Sequence, residues 1–179
     1  MIPEEIIKRY YREGSELHTL LLTHSTSVAT KALEIVHRHP EWKCNEDFIR
    51  EAALLHDIGI FQTDAPKIHC FGKYPYICHG YLGAELLRNE GLERHARVCE
   101  RHTGSGITRE KILNDRLPIP ARNMLPETRE EKLICFADKF YSKSHPDKEN
   151  TVEQIEKSLA RYGQDSLDRW NEMVEWFYE

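Results

Sequence analysis

The ten-residue stretch EAALLHDIGI, residues 51–60, decides how this chain folds. Its apolar residues have the spacing of a buried helix, and it then places an imidazole beside a carboxylate at His56 and Asp57. Titratable side chains on a buried face are costly unless they are paired or bound to a metal ion. The stretch therefore predicts a helix that ends near Gly59 and presents two metal-ligand groups to the protein interior.

The same helical pattern extends outward in both directions. Apolar residues recur three and four positions apart without sustained two-residue alternation, which predicts an all-α, single-domain helical bundle over residues 1–179. We expect a core at about 17–145 that carries the ligand-type residues, with C-terminal helices at 151–178 packed on it. The stretches 62–77 and 103–126 contain prolines and glycines and are expected to be loops. Further ligand-type side chains fall on apolar helix faces: His24, His79, His102 and Asp138.

Composition and charge narrow the classes of partner and compartment. The formal net charge of −5 gives no large basic field, so extended nucleic acid is a poor candidate partner. The sequence has no run of roughly 20 apolar residues, so we expect no membrane segment. The five cysteines form no C-x-x-C pair, which favours free thiols in the cytoplasm. The oligomeric state stays open.

A shared metal site is the simplest reason for so many buried ligand-type side chains. Imidazole and carboxylate groups both bind Fe, Mn, Zn and Co, and a bundle can bring such groups together from several helices. Asp57 has two carboxylate oxygens and could bridge two ions, whereas adjacent helix residues such as His56 and Asp57 meet one ion only at a wide angle. We therefore expect divalent transition-metal ions, and two of them, held by His24, His56, Asp57, His79, His102 and Asp138.

Five stretches of the sequence carry a family resemblance: LLTHSTSVA, EAALLHDIGI, ICHGYLGAELL, VCERHTGSGIT and EEKLICFADKF. In this order they resemble the motifs of the HD-domain phosphohydrolase superfamily, and the order H, HD, H, H, D is similar to its two-metal subset. The resemblance implies an all-helical HD-domain fold. It also implies that one ion lies among His24, His56, Asp57 and Asp138, while His79 and His102 hold the second and Asp57 bridges the two.

The resemblance also implies a reaction. It is the hydrolysis of a phosphoester or phosphoanhydride by a metal-activated water, with a nucleotide or another small phosphorylated metabolite as substrate. Asp57, His79 and His102 would act at the reacting phosphate. Some relatives have a basic residue directly after the HDIG motif, where this chain has Ile60. The candidate phosphate contacts are the side chains of Arg101, Lys139 and Lys143 and, in the loop after His102, the backbone N–H of Ser105.

Two alternative functions stay open at the level of sequence. The same ligands resemble those of HD-fold oxygenases that use a mixed-valent iron pair, and a nucleotide-binding regulatory module is a third interpretation, although no ligand of the pattern is lost. Two other residues near the motifs are interpreted as structural. His95 lies on nearly the same helix face as His102 but outside the motif pattern, and Cys78 is expected to be a packed thiol.

Overall fold

The structure is a computed structural model that describes residues 2–178, apart from the side chains of residues 146 and 147. Its described part is predominantly helical, with two small antiparallel hairpins as its sheets, which confirms the predicted all-α class. The hairpins pair β1 (Asp64–Ala65) with β2 (Cys70–Phe71), and β3 (Tyr141–Ser142) with β4 (His145–Glu149). The helices are α1 (Pro3–Tyr10), α2 (Glu16–Arg38), α3 (Glu46–Leu55), α4 (His79–Asn89), α5 (Glu93–Arg101), α6 (Arg109–Asn114), α7 (Arg129–Asp138), α8 (Val152–Leu159) and α9 (Gln164–Phe177).

Local hydrogen bonds explain where the site-bearing helices begin. The Ser15 hydroxyl accepts from the His18 backbone N–H and starts α2, and the Asn45 side chain accepts from Phe48 N–H and starts α3. The Thr128 hydroxyl does the same for α7. Each cap satisfies a backbone donor that the first turn leaves unpaired. These starts fix which residues reach the far end of each helix, where most of the site lies.

The end of α3 differs from the sequence-based expectation. The helix was predicted to continue to near Gly59, but it ends at Leu55, and tight turns continue the chain. Ile58 N–H donates to Leu55 O at 3.1 Å, and Ile60 N–H donates to Asp57 O at 3.0 Å. The physical reason is tertiary, because Gly59 packs against the backbone of α4. A Cβ atom at Gly59 would lie 2.2 Å from the His79 carbonyl oxygen, so only glycine permits this approach.

Two apolar clusters fill the interior, and the ligand-type residues lie between them. The larger cluster joins α2, α3 and α7 to α8 and α9, with Trp170, Phe136 and Phe177 among its fully buried side chains. The smaller one joins α1, α4 and α5 to the N-terminal half of α2 and the C-terminal end of α3. Because α2 and α3 contribute to both clusters, His24 and His56 fall at the junction of the two.

The two stretches predicted as loops contain short regular elements. The β1–β2 hairpin lies within 62–77, and α6 lies within 103–126. The β3–β4 hairpin was not predicted, and it follows directly after α7, with Lys143 in its turn. Within residues 2–178, no helix combines the length and the apolar character that a bilayer span requires. The helices thus form the frame, and the three irregular segments lie around one end of it.

Candidate metal centre

The structure brings all six predicted metal ligands together, in two groups that share Asp57. The first group comprises the ligand atoms of His24, His56, Asp57 and Asp138, which lie within 4.8 Å of one another. His24 Nε2 lies 2.9 Å from Asp138 Oδ1 and 3.2 Å from Asp57 Oδ2. His56 Nε2 lies 3.3 Å and 3.2 Å from the same two oxygens. These four side chains are buried and surround one common point.

The second group consists of Asp57, His79 and His102, whose ligand atoms also lie within 4.8 Å of one another. His79 Nε2 and His102 Nε2 are 3.1 Å apart, and they lie 3.5 Å and 3.3 Å from Asp57 Oδ1. Asp57 thus turns Oδ2 towards the first group and Oδ1 towards the second. This is the arrangement of a carboxylate that bridges two ions.

Backbone carbonyls fix how three of the imidazoles are protonated. The Nδ1 atoms of His56, His79 and His102 lie 2.6 to 2.7 Å from the carbonyl oxygens of Ala53, Tyr76 and Cys99. A carbonyl only accepts, so each Nδ1 carries a proton and donates it. In the neutral ring the Nε2 atom then has a free lone pair directed into the site. This is the second-shell pattern of histidines that bind metal ions.

This tautomer provides a physical test of whether the site fits a metal ion. With both Nδ1 atoms protonated, neutral His79 and His102 point two Nε2 lone pairs at each other across 3.1 Å, without a proton between them. Such a contact is repulsive unless a cation binds both nitrogens. The donor set of imidazoles and carboxylates is the one that Fe, Mn, Zn and Co prefer. The residues present therefore fit divalent transition-metal ions.

The ends of three helices add to the attraction for cations. His56 and His102 are the C-cap residues of α3 and α5, and Asp138 is the last residue of α7. Helix C-termini carry a partial negative charge, which favours a cation. His79, the first residue of α4, brings one helix N-terminus to the site, and this opposes the effect in part. Three C-termini against one N-terminus leave a field that favours positive charge.

The electrostatics differ between the two groups. Burial lowers the pKa of His79 to about 3 and also lowers the pKa of His102, so both rings are neutral at pH 7. Burial would also lower the pKa of His56, but Asp57 and Asp138 outweigh it and raise that pKa to about 9. Both carboxyl groups have a pKa well below the usual value. Burial would raise it, but Lys143 beside Asp57 and Lys139 beside Asp138 outweigh that effect.

A second glycine keeps the two groups at this separation. Gly83 in α4 faces Gly59, and a Cβ atom on Gly83 would lie 2.5 Å from Cys99 Sγ and 2.9 Å from Gly59 N. The turn after α3 and helix α4 are therefore in direct backbone contact, and the backbone of α4 packs against the Cys99 side chain of α5. Because these elements carry Asp57, His79 and His102, the close packing sets the geometry of the second group.

A cavity of about 550 Å³ opens from the metal ligands to the surface. Its floor includes His79, His102 and Asp138. Cationic side chains lie around it, and one of them reaches the centre, because Lys143 Nζ lies 2.6 Å from Asp57 Oδ2. The other basic lining residues are Lys111, Lys139 and Arg169, and the apolar wall comprises Tyr76, Ile77, Ile107, Leu117, Leu159 and Tyr162.

The four predicted phosphate contacts are placed differently. Lys139 and Lys143 line this cavity, and Lys139 pairs with Asp138 Oδ2. Arg101 is paired with Glu127 and Glu131 at 3.0 and 3.2 Å, and the Ser105 hydroxyl donates to Ser166 O at 2.7 Å. The structure therefore does not bring the Arg101 side chain to the cavity, and the Ser105 hydroxyl points to α9, while the adjacent Gly104 and Gly106 line the cavity. Arg101 instead joins α5 to α7, and the Ser105 side chain joins the 103–107 loop to α9.

The sequence did not indicate two basic residues of the cavity, Lys111 and Arg169. Lys111 and Arg169 had no motif to mark them, because they reach the cavity only through the packing of α6 and α9. Arg169 also donates to the carbonyl oxygens of Ser105 and Gly106 and so holds the loop below the cavity.

His95 and Cys78 were interpreted from the sequence as structural residues. His95 lies 3.3 Å from Glu51, and the Cys78 thiol lies 3.3 Å from Pro118 O. Both contacts join separate parts of the fold, as expected for structural residues.

Comparison with known proteins identifies the family to which the chain belongs. The family model described as "HD domain" matches residues 21–142, which include every ligand of the two groups. This chain belongs to the HD domain family. The HD protein described here therefore has the family's fold and a buried cluster suited to divalent metal ions.

Three curated proteins are similar to the HD protein over most of its length. It is 30% identical over 145 residues to the uncharacterized protein MJ0778 of Methanocaldococcus jannaschii, which covers 79% of this chain and 78% of the relative. It is 32% identical to a tRNA (cytidine(56)-2'-O)-methyltransferase of Picrophilus torridus, over 79% of this chain and 37% of that protein. The enzyme of the same name from Thermoplasma volcanium is 30% identical, over 94% of this chain and 45% of that protein.

The chain thus spans less than half the length of the two methyltransferases that it matches. No solved structure matches the sequence significantly. The comparisons therefore identify the family, whereas the particular reaction has to be inferred from the site.

Proposed function

We propose that the HD protein is a metal-dependent phosphohydrolase that cleaves a phosphoester or phosphoanhydride of a small substrate. The observation that carries this proposal is the pairing of two ligand groups around Asp57 with a cavity whose lining has four basic side chains and two acidic ones, Asp115 and Asp138. Divalent ions bound there would polarise a phosphoryl oxygen and lower the pKa of a water molecule. A cavity with lysines and an arginine beside such a centre suits an anionic substrate.

The side chains of this chain have distinct roles in the proposal. Asp57 spaces the two groups, and His79 and His102 face the cavity, where the phosphate would lie. Lys143, whose ammonium group already contacts a buried carboxylate, would neutralise charge on the phosphate. Lys139 holds Asp138 on the opposite side. None of these roles requires a nucleophile from the protein.

The apolar wall indicates which part of a substrate lies away from the centre. Ile77, Ile107 and Leu117 form a surface that suits the flat, poorly hydrated part of a ligand, and Tyr76 and Tyr162 add two aromatic rings. A nucleotide has such a part attached to its phosphate, so we propose a nucleotide as the substrate class. The free cysteines of the described chain agree with a reducing compartment, and we propose the cytoplasm.

The methyltransferase names describe proteins much longer than this chain. They belong to proteins of which it matches 37% and 45%. Imidazole and carboxylate ligands around a bridging aspartate are suited to metal-assisted chemistry. An oxygenase would use the same ligands, but the cations Lys111, Lys143 and Arg169 around the cavity favour a phosphorylated substrate.

The test is a phosphate-release screen on protein purified without chelator. Mn, Fe, Co and Zn would each be supplied with p-nitrophenyl phosphate and with a panel of nucleotides, under air and under nitrogen. We expect phosphate release that chelator abolishes and that added metal restores, at the same rate in both atmospheres. Turnover that requires oxygen would instead identify an oxygenase. Retention of a nucleotide without turnover under every metal would identify a binding module.

A further inference from the structure

A second cavity, of about 380 Å³, lies next to the active-site cavity. It is formed between the β3–β4 hairpin and helix α8, which are the parts of the chain that follow the last metal ligand. The two cavities share three lining residues, Lys139, Ser158 and Leu159. Because Lys139 directly follows Asp138 in the chain, the second cavity begins within one side chain of the metal centre.

The described lining of this second cavity has basic side chains and no aspartate or glutamate. It contains two lysines, Lys139, which is paired with Asp138, and Lys148, together with the imidazole of His145. This is unusual for a chain with a formal net charge of −5. Lys148 forms no ion pair with any side chain that the structure describes, whereas its neighbour Glu149 is paired with Lys31. Lys148 therefore lines a concave surface and has no ion-pair partner among the described side chains.

Neutral polar groups complete the lining. The Gln154 side-chain oxygen accepts from Thr151 N–H in the capping box of α8, which fixes the orientation of this amide. Its NH₂ group makes no hydrogen bond within the described structure. Ser142 and Ser158 add hydroxyl groups. Together with Lys148 they present donors, which is the chemistry that recognises a phosphate or a carboxylate.

We propose that this cavity binds a second anionic group, a phosphate or a carboxylate, of the same molecule whose first phosphate lies at the metal centre. This inference rests on the proposed function and narrows its substrate to molecules with two separated anionic groups. One molecule can occupy both cavities because they meet at Lys139, Ser158 and Leu159. Lys148 is then a specificity-determining residue, since it contacts the part of the ligand that does not react.

The experiment uses the metal-loaded full chain and non-hydrolysable probes. Binding of α,ω-alkane bisphosphonates and ω-carboxyalkyl phosphonates with several spacer lengths is measured by calorimetry, against monoalkyl phosphonates of the same lengths. Inhibition of p-nitrophenyl phosphate hydrolysis is measured in parallel. We expect a two-anion probe with the right spacer to bind roughly fivefold more tightly than its one-anion counterpart, the effect of one partly exposed charge pair. The bisphosphonate and carboxylate series distinguish the two possible second groups.

A matched pair of variants assigns the effect to the cavity. Lys148→Met removes the charge at similar length and should abolish the advantage of two-anion probes, while binding of monoalkyl phosphonates is unchanged. Lys157→Met removes an exposed charge from α8 outside both linings and should leave the advantage intact. Equal binding of one-anion and two-anion probes at every spacer length, or an advantage that survives in Lys148→Met, would overturn the inference. Absence of any phosphate release would count against the proposed function alone, because the calorimetric comparison needs no turnover.

Discussion

The two halves of the candidate metal centre share Asp57 and differ in their other ligands and in the pKa values of those ligands. The half with His24, His56 and Asp138 has two carboxylates and an imidazole whose pKa is raised to about 9. The half with His79 and His102 has one shared carboxylate and two imidazoles with lowered pKa values. The first half thus has two carboxylates, each beside a lysine, and a protonated imidazole, whereas the second is nearly neutral and already free of protons at its Nε2 atoms.

This difference indicates how the two ions would be divided. The first half offers four ligand side chains, two of them carboxylates, against three in the second half, whose two imidazoles both line the cavity. We therefore expect a tightly bound ion in the first half and a more weakly bound ion, next to the substrate, in the second. Removing Asp57 should weaken the binding of both ions. Removing a residue of one half should weaken only the ion of that half.

The largest effect is expected for Asp57→Ala. This change removes the carboxylate that lies between both halves, so both ions should bind poorly and activity should fall by at least about a hundredfold. Elemental analysis and phosphate release measure the two losses. Asp57→Asn is the matched variant, because it keeps the size and one oxygen but loses the charge. Thermal unfolding of both proteins separates loss of metal from loss of fold, and full metal content in a folded Asp57→Ala protein would contradict the bridging role.

Single substitutions within each half should separate the ions. In His79→Ala and in His102→Ala the first half is intact, so metal content should fall to about one ion per chain and activity should be lost. In His24→Ala and Asp138→Ala the tight ion should be lost instead. If His79→Ala and His102→Ala kept full metal content and activity while the other two variants lost both, the centre would hold a single ion. His79 and His102 would then be substrate-contacting or structural residues.

The two halves should also differ in how metal affinity depends on pH. His56 has a pKa of about 9 and is protonated at pH 7, so an ion in its half must displace a proton. Affinity there should rise by about tenfold per pH unit between pH 6 and 8 and level off above the pKa of His56. His79 and His102 have lowered pKa values, so no proton is displaced at neutral pH and affinity in their half should be nearly constant.

Titration of Mn into His79→Ala at several pH values isolates the first half. The weaker binding step of the unmodified protein reports the second. A flat profile for the His79→Ala protein between pH 6 and 8 would show that His56 carries no proton in the ion-free chain. The comparison of the two halves would then rest on their carboxylate content alone.

The smallest effect is expected for Cys78→Ser. The thiol precedes His79 in the chain but contacts the Pro118 carbonyl oxygen, and a hydroxyl group can donate to the same acceptor. Metal content should be unchanged and activity should stay within about twofold of the original. Loss of activity at unchanged metal content, in a folded protein, would mean that this thiol takes part in the chemistry.

The ligands could be predicted from sequence because they violate a simple rule. His24, His79 and Asp138 interrupt apolar stripes with helical spacing, and buried titratable groups require a partner. Their sharing of Asp57 agrees with its two-oxygen chemistry, and the fold class followed from the periodicity alone. The cap of α3 is also a local feature, because the Asn45 side chain accepts from the backbone N–H of Phe48, three residues further on.

Features that depend on tertiary contacts could not be predicted in the same way. The four residues by which α3 falls short of Gly59 follow from the approach of α4, which has no local signal. The β3–β4 hairpin is short and polar, and β3 has only two residues, too few for a detectable alternation. Arg169 reaches the cavity because α9 packs on α7, and Arg101 pairs with Glu131 because α5 packs on α7. The candidate ligands follow a pattern that is visible in the sequence, whereas the lining of the cavity depends on tertiary packing.

The most direct test of the account is the number of metal ions bound by the unmodified chain. Protein purified without chelator would be analysed for metals and then titrated with Mn by calorimetry. We predict about two ions per chain, one bound tightly and one more weakly, because the ligand set exceeds what one open catalytic ion needs. A folded protein that binds no Mn, Fe or Zn at micromolar concentration would contradict the metal centre itself. Saturation at one ion per chain would contradict its division into two halves.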